Sequence, residues 1–303
     1  MAKKSSISKR LPRKPDKRKP APPPPTKRPA PSSDHPGAAH HSFPIVGLGA
    51  SAGGLETLEK FIANVPPDSG LAYVAVTHQH PGYISMLPEL LQRKAHIRVE
   101  AATDGLVLEP NCFYLSSSSG YLAVFHGALH IIEPEAPGTL RLPIDYFFRS
   151  LAEDRKERAI GIILSGTGTD GSDGLRAIKG SGGLTIAQEP ETAKYSGMPH
   201  SAVGTGLVDF VLPVERMPKK LLAYLHGPFL SLPEMDAHED GELPEAMQKI
   251  NLLLRNRTGN DFSAYKANTI RRRIERRINL HQLKAPQQYL LYLRENPTEL
   301  DAL

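Results

Sequence analysis

Ser51 stands in the run Gly49-Ala50-Ser51-Ala52-Gly53-Gly54, which fits the pattern G-x-S-x-G. A serine between small residues, placed after a strand and before a helix, has the makings of a nucleophile elbow. The backbone can turn sharply, the hydroxyl stands clear of the sheet, and the first turn of the helix offers unpaired N–H groups to an oxyanion. The same glycines would also suit a phosphate-cradling turn, with Gly47-Leu48-Gly49 followed by Gly53. A dinucleotide site of that kind, as in a nicotinamide-binding enzyme, wants an acid at the end of the second strand to hold the ribose. Here that strand ends in Thr77-His78-Gln79-His80. The turn by itself serves either chemistry equally.

His78 shifts the balance. A serine hydroxyl needs a neighbouring imidazole to take its proton as it attacks, and His78 follows the second strand at the same carboxyl edge as Ser51; His80 is its rival two residues on. A base histidine in turn needs a carboxylate on its other ring nitrogen. Asp170, in Ser165-Gly166-Thr167-Gly168-Thr169-Asp170-Gly171, follows a third strand, with Asp173 as a second candidate. Alone, Asp170 would read as a turn or cap residue. Three residue types at three strand ends of one sheet point together to acyl transfer by a Ser/His/Asp triad. Their chain order, Ser then His then Asp, is foreign to α/β-hydrolases, which run Ser, Asp or Glu, His.

The elements that must position them follow from the apolar pattern. Residues 43–48, 72–76, 159–164, 184–187 and 208–212 read as buried strands. Helical spacing marks 55–65, with Leu55, Leu58, Phe61 and Ile62 on one face, and also 84–93, 144–153, 175–179 and 217–225. Between 97 and 133 the pattern shortens into hairpin-like pieces at 112–115, 121–124 and 128–132. The expectation for residues 43–228 is an α/β domain: a doubly wound, mostly parallel, Rossmann-like sheet with a β-hairpin insert, its site at the carboxyl ends of the strands.

Charge divides the rest of the chain. The net charge of +5 conceals a tail: residues 1–32 hold eleven Lys and Arg against Asp16 alone, while the remainder holds 26 basic and 31 acidic residues. Residues 1–42, rich in Lys, Arg and Pro, read as a disordered basic tail, either merely solvated or in contact with a polyanion such as nucleic acid or anionic lipid. An acidic, Pro-containing linker is expected over 229–243, and a small all-α segment over 244–303. In that segment Met247, Ile250, Leu253 and Leu254 form one apolar stripe; Ile270, Ile274 and Ile278 form another within Arg271-Arg272-Arg273-Ile274-Glu275-Arg276-Arg277; and a third helix spans 286–294. The chain stops at Leu303 in what reads as mid-helix, as a fragment would. A single cysteine, Cys112, rules out an internal disulfide and suits the cytoplasm. No run approaches the roughly 18 apolar residues of a membrane span, and no membrane insertion is expected. Nothing in the sequence asks for a cofactor or a metal.

Residues 43–228 resemble the catalytic domain of CheB, the chemotaxis protein-glutamate methylesterase. The likeness rests on Gly47 to Gly54, Val76-Thr77-His78, Gly166-Thr167-Gly168-Thr169-Asp170-Gly171 and Tyr195-Ser196-Gly197-Met198-Pro199. The resemblance implies that Ser51, His78 and Asp170 are the triad and that backbone N–H groups of Ala52, Gly53 and Thr167 serve the oxyanion. It also implies the reaction, hydrolysis of chemoreceptor glutamate methyl esters to glutamate and methanol, with glutamine deamidation as a further activity. Residue 167 is threonine where the family commonly has methionine, and residues 1–42 are too short for the family's receiver domain. Residues 251–303 resemble the N-terminal helical domain of CheR, the receptor methyltransferase, as in a CheB–CheR fusion, through Arg257-Thr258-Gly259-Asn260-Asp261-Phe262-Ser263 and the run from Thr269 to Arg277. That likeness implies that Arg271, Arg272, Arg273, Arg276 and Arg277 face a methylated chemoreceptor or related sensory protein. The competing expectation is a non-catalytic signalling module in which the triad idles.

Overall fold

A computed structural model describes residues 43–78, 86–116, 120–133, 142–227, 242–262 and 267–303. The basic tail, nearly all of the linker and His80 lie outside the described residues. Seven strands form one sheet: β1 (Ile45–Ala50), β2 (Ala72–Thr77), β3 (Arg98–Ala101), β5 (Cys112–Leu115), β8 (Ala159–Ile163), β9 (Leu184–Gln188) and β10 (Phe210–Leu212). Their order is β10-β9-β8-β1-β2-β5-β3, and every pairing is parallel. A separate antiparallel sheet, β4-β7-β6, joins β4 (Leu106–Val107), β6 (Tyr121–Phe125) and β7 (Ala128–Ile132). The hairpin expected at 121–132 is therefore present. Cys112–Leu115 belongs instead to the main sheet, between β2 and β3, and all four of its residues are buried.

Helices cover both faces, which is why the central strands read as unbroken apolar runs rather than as alternation. On one face α1 (Gly54–Ile62), α2 (Leu87–Gln92) and α6 (Met217–Leu225) bury Leu58, Phe61, Ile62, Leu91, Met217 and Leu221. On the other, α3 (Pro143–Arg155), α4 (Ser172–Gly180) and α5 (Gly197–Gly204) bury Ile144, Phe147, Phe148, Leu151, Leu175, Ile178 and Met198. Each such side chain contributes roughly 1.5–3 kcal/mol by leaving water. Leu55, expected on the inner face of α1, is 41% exposed. It sits in the first turn of the helix.

The second face packs closely because three strand positions lack a side chain. A Cβ on Gly49 would lie 2.4 Å from Ile144 Cγ2, one on Gly47 2.9 Å from Phe148 Cε1, and one on Gly161 2.6 Å from Ile178 Cδ1. Through Gly49 the start of α3 is pressed onto the ends of β1 and β8.

Four more helices follow: α7 (Glu242–Thr258), α8 (Ala267–Leu280), α9 (Pro286–Glu295) and α10 (Pro297–Ala302). Their own core holds Ile250, Leu254, Ile274, Ile278, Tyr289, Leu290, Leu293 and Leu300. At its edge Arg277 grips the buried Glu299 with two hydrogen bonds of 2.5 Å, Tyr289 donates to Glu299 Oε1 at 3.0 Å, and His281 Nε2 lies 3.0 Å from the same oxygen. Among the described residues no helix is long and apolar enough to cross a membrane.

Two outcomes follow from this packing. Gly49→Ala is expected to lower stability by about 1–3 kcal/mol, since the β-branched Ile144 has no free end to swing away; a urea melt reads this directly. Burial alone would raise the pKa of Glu299, but the His281 and Arg277 contacts outweigh it and hold the carboxyl at about 2. A depressed folded pKa gives stability that is present above the unfolded value near 4.5 and is lost as pH falls toward about 2. Thermal melts from pH 5 to pH 2 are therefore expected to show a loss on the order of 3 kcal/mol that is absent in Glu299→Gln.

Candidate active site

Strand β1 continues to β2 on one side, while β8 continues to β9 on the other. The order of strand addition thus reverses between the parallel neighbours β1 and β8, and open α/β sheets place their sites at the carboxyl ends of such a pair. Ser51 follows β1, and residues 165–171 follow β8. Ser51 N–H donates to Ser165 C=O at 3.0 Å, which extends the ladder beyond both strands. Gly53, with φ of 72°, then reverses the chain into α1. No side chain caps this helix, and Gly54 N–H donates back to Ser51 C=O at 2.9 Å.

Ser51 Oγ lies 2.9 Å from His78 Nδ1, and His78 Nε2 lies 2.8 Å from Asp170 Oδ2. Asp170 is 3% exposed. It is held from a second side by the first turn of α3: Ile144 N–H donates to Oδ2 at 3.1 Å and Asp145 N–H to Oδ1 at 3.0 Å. With the carboxylate accepting the Nε2 proton, Nδ1 keeps its lone pair for the serine. The ring is used in the opposite sense to the chymotrypsin-type triad, where Nε2 faces the serine, but the proton logic is the same. The His78 side chain is 35% exposed, so the imidazole opens outward while its carboxylate partner is sealed. Asp173, the other candidate acid, pairs instead with Arg176 and, at 3.9 Å, with Arg149 on the surface.

The residues assigned to the oxyanion line the same corner. Among the described residues, the N–H groups of Ala52, Gly53 and Thr167 have no protein acceptor. The loop carrying Thr167 is pressed against Ser51: a Cβ on Gly166 would lie 2.9 Å from Ser51 Cβ and 2.2 Å from Met198 Sδ. Gly166 also exchanges hydrogen bonds with the next loop, its N–H donating to Tyr195 C=O and its C=O accepting from Met198 N–H, both at 2.9 Å.

Three residues that the sequence reading passed over hold this corner together. Ser165 is fully buried, and its hydroxyl donates to Ala52 C=O at 3.0 Å and accepts from Tyr195 N–H at 3.1 Å. Gln188, at the end of β9, accepts from Ser165 N–H at 2.9 Å. Asp145, also buried, accepts from Gly174 N–H at 2.6 Å and so ties α3 to α4 on either side of Asp170. Burial raises the Asp145 carboxyl above its ordinary pKa, and the charge of Asp170 adds to this. A buried polar residue closing an apolar strand was the available signal for Ser165 and Gln188. Among the described residues no group of three or more His, Cys, Asp or Glu is placed to hold a metal ion.

Of the α8 arginines, Arg272 and Arg273 are exposed and Arg271 is partly so, whereas Arg276 and Arg277 turn inward. Arg276 Nη2 donates to the buried Asp209 at 2.8 Å, and Arg277 lies 3.5 Å from Asp209 as well as gripping Glu299. Arg272 pairs with Glu157 at 3.0 Å, Arg271 lies 3.6 Å from Glu275, and Arg273 donates to Leu303 C=O at 3.3 Å. A carboxylate shut away from water, as Asp209 is, draws cations inward. The sequence places Asp209 within an apolar strand at 208–212; in the structure it stands just before β10.

With this geometry in place, the likenesses to known proteins carry weight. Residues 46–221 match the family described as CheB methylesterase, and residues 245–303 match the all-alpha domain of the CheR methyltransferase. A protein-glutamate methylesterase/protein-glutamine glutaminase of the group 3 operon of Rhizobium meliloti (strain 1021) is 32% identical over 197 residues, 65% of this chain and 56% of that protein. One from Geobacillus kaustophilus (strain HTA426) is 36% identical over 198 residues, 61% of this chain and 57% of that protein. An uncharacterized 104.1 kDa protein of Rhodobacter capsulatus is 32% identical over 237 residues, 72% of this chain and 25% of that protein. The chain thus spans a little over half the length of the first two relatives. The crystal structure of the Thermotoga maritima CheB methylesterase catalytic domain superposes with a TM-score of 0.56 at 32% identity, covering 60% of this chain and 98% of that one. The chain belongs to the CheB methylesterase family.

Proposed function

We propose that this chain hydrolyses methyl esters on protein glutamate side chains, with Ser51 as nucleophile, His78 as base and Asp170 as the group that orients the base. The observation that carries the proposal is the unbroken relay from Ser51 Oγ to His78 Nδ1 and from His78 Nε2 to the buried Asp170, at 2.9 and 2.8 Å. Ser51 Oγ attacks the ester carbonyl carbon as Nδ1 takes its proton. The carbonyl oxygen becomes an oxyanion facing the free N–H groups of Ala52, Gly53 and Thr167. Collapse breaks the bond to the methoxy group, which leaves as methanol on the proton held by His78. Water then attacks the acyl-serine with the same base, releasing the carboxylate and restoring Ser51.

The relatives' names give the substrate class: a methylated protein glutamate, with protein glutamine as a second substrate that loses ammonia by the same route. A sensory receptor carrying such esters is the proposed partner, and the cytoplasm the proposed place of action.

Methanol release from methylated receptor tests the reading. Ser51→Ala is expected to lower it by at least about 10⁴-fold, as removal of a triad nucleophile does. Release at the wild-type rate from that variant would overturn it. Ser165→Ala leaves the three relay residues in place but frees Ala52 from the neighbouring loop. We expect kcat to fall about tenfold, in line with the loss of one well-placed oxyanion donor or less, with KM little changed. Steady-state kinetics on the same substrate separates the two parameters.

A further inference from the structure

Helix α8 has two working faces. At about 100° per residue, Ile270, Ile274 and Ile278 fall in one sector of about 80°, and that sector packs into the helical segment's own core. Arg272, Arg276, Asn279 and Leu280 fall in a sector of about 100° on the opposite side. Every one of these four meets the methylesterase domain. Arg272 pairs with Glu157, just before β8, and Arg276 with Asp209, just before β10. Asn279 comes so near Gly227 that a Cβ there would lie 2.6 Å from its Oδ1. Leu280 is 6% exposed and joins the apolar cluster that includes Leu221 and Tyr224 of α6.

Asp209 is the centre of this contact. Its side chain has no exposure, and it accepts from Thr185 N–H and Oγ1 at 3.0 Å, from Lys179 at the end of α4, and from Arg276. Burial would raise its pKa, but Arg276 and Lys179 outweigh that and hold the carboxyl below its ordinary range. Asp209, Glu157 and the end of α4 all lie at the amino ends of the parallel strands. Ser51, His78 and Asp170 lie at the carboxyl ends.

We infer that Arg272, Arg276, Asn279 and Leu280 form a docking face that fixes the CheR-like helices to the amino edge of the esterase sheet, with Asp209 as its anchor. Arg276 then serves the chain's own first domain and not an outside acidic partner, and the catalytic edge is left open. The partner this edge accepts is a basic amphipathic helix bearing arginines at i and i+4 and a leucine at i+8.

The test is the reactivity of arginines in the full-length chain toward phenylglyoxal, read by peptide mass spectrometry. Arg276 is expected to react at least about tenfold more slowly than Arg273, because a desolvated, paired guanidinium is withheld from the reagent. Equal rates would overturn the docking. Asp209→Asn is expected to raise Arg276 reactivity severalfold while methanol release stays within about twofold, since the ion cluster is broken at the edge away from the chemistry. Continued protection of Arg276 in that variant would overturn the role of Asp209. If Asp209→Asn does not fold, Leu280→Asn, on the helix side of the same face, is expected to unmask Arg276 equally.

Discussion

A carboxylate sealed from water must find donors or give up its charge, and the catalytic corner is built around meeting that demand at Asp170. The cost of burying such an ion is several kcal/mol. It is met by Ile144 N–H, Asp145 N–H and His78 Nε2, charge-assisted bonds of about 1.5–3 kcal/mol each. These three donors come from two separate elements, so satisfying Asp170 brings the start of α3 and the end of β2 to the loop after β8. The His78 ring is oriented by one of the same bonds that hold the Asp170 carboxylate in place. Asp145 takes the arrangement one step further by capping α4, the helix that leads away from the Asp170 loop.

Close approach at glycines makes this convergence possible. Gly49 lets Ile144 reach the end of β1, and Gly166 lets the loop after β8 lie against Ser51 itself. Ser165 then fastens that loop to the backbone of Ala52 and Tyr195. The result separates two tasks between the two edges of one parallel sheet. The carboxyl edge gathers Ser51, His78 and Asp170 beside an exposed Thr167, with His78 itself partly exposed. The amino edge holds the acids Asp209 and Glu157, and there the helical segment attaches.

Much of the site was legible in the sequence because Ser51 and His78 each directly follow a strand whose apolar run is unmistakable. Asp170 stands seven residues past the end of β8, in a glycine-rich loop, and was nominated by that loop together with the family resemblance. The residue types alone leave Asp170 and Asp173 both open, since either reads as a cap; the family resemblance points to Asp170, and the structure sets Asp170 against His78 while Asp173 pairs with surface arginines. Cys112–Leu115 was misread as a hairpin piece because four consecutive apolar residues look alike in a hairpin and in a buried parallel strand; only its pairing with β2 tells them apart. Ser165 escaped notice because a serine before glycine reads as turn chemistry. The arginines of α8 misled for a related reason. A run of cations suggests an outward face, which Arg272 and Arg273 keep, yet Arg276 shares a stripe with the buried Leu280 and turns to the side chain of Asp209.

The most direct test of the relay is whether its members act as a unit. Methanol release from methylated receptor should be compared for Ser51→Ala, His78→Gln and the double variant. If His78 works only by activating Ser51, the double variant will be no slower than the worse of the two singles, as for other triads. Losses that multiply in the double variant would show that the two residues act independently, and would contradict a serine nucleophile driven by His78.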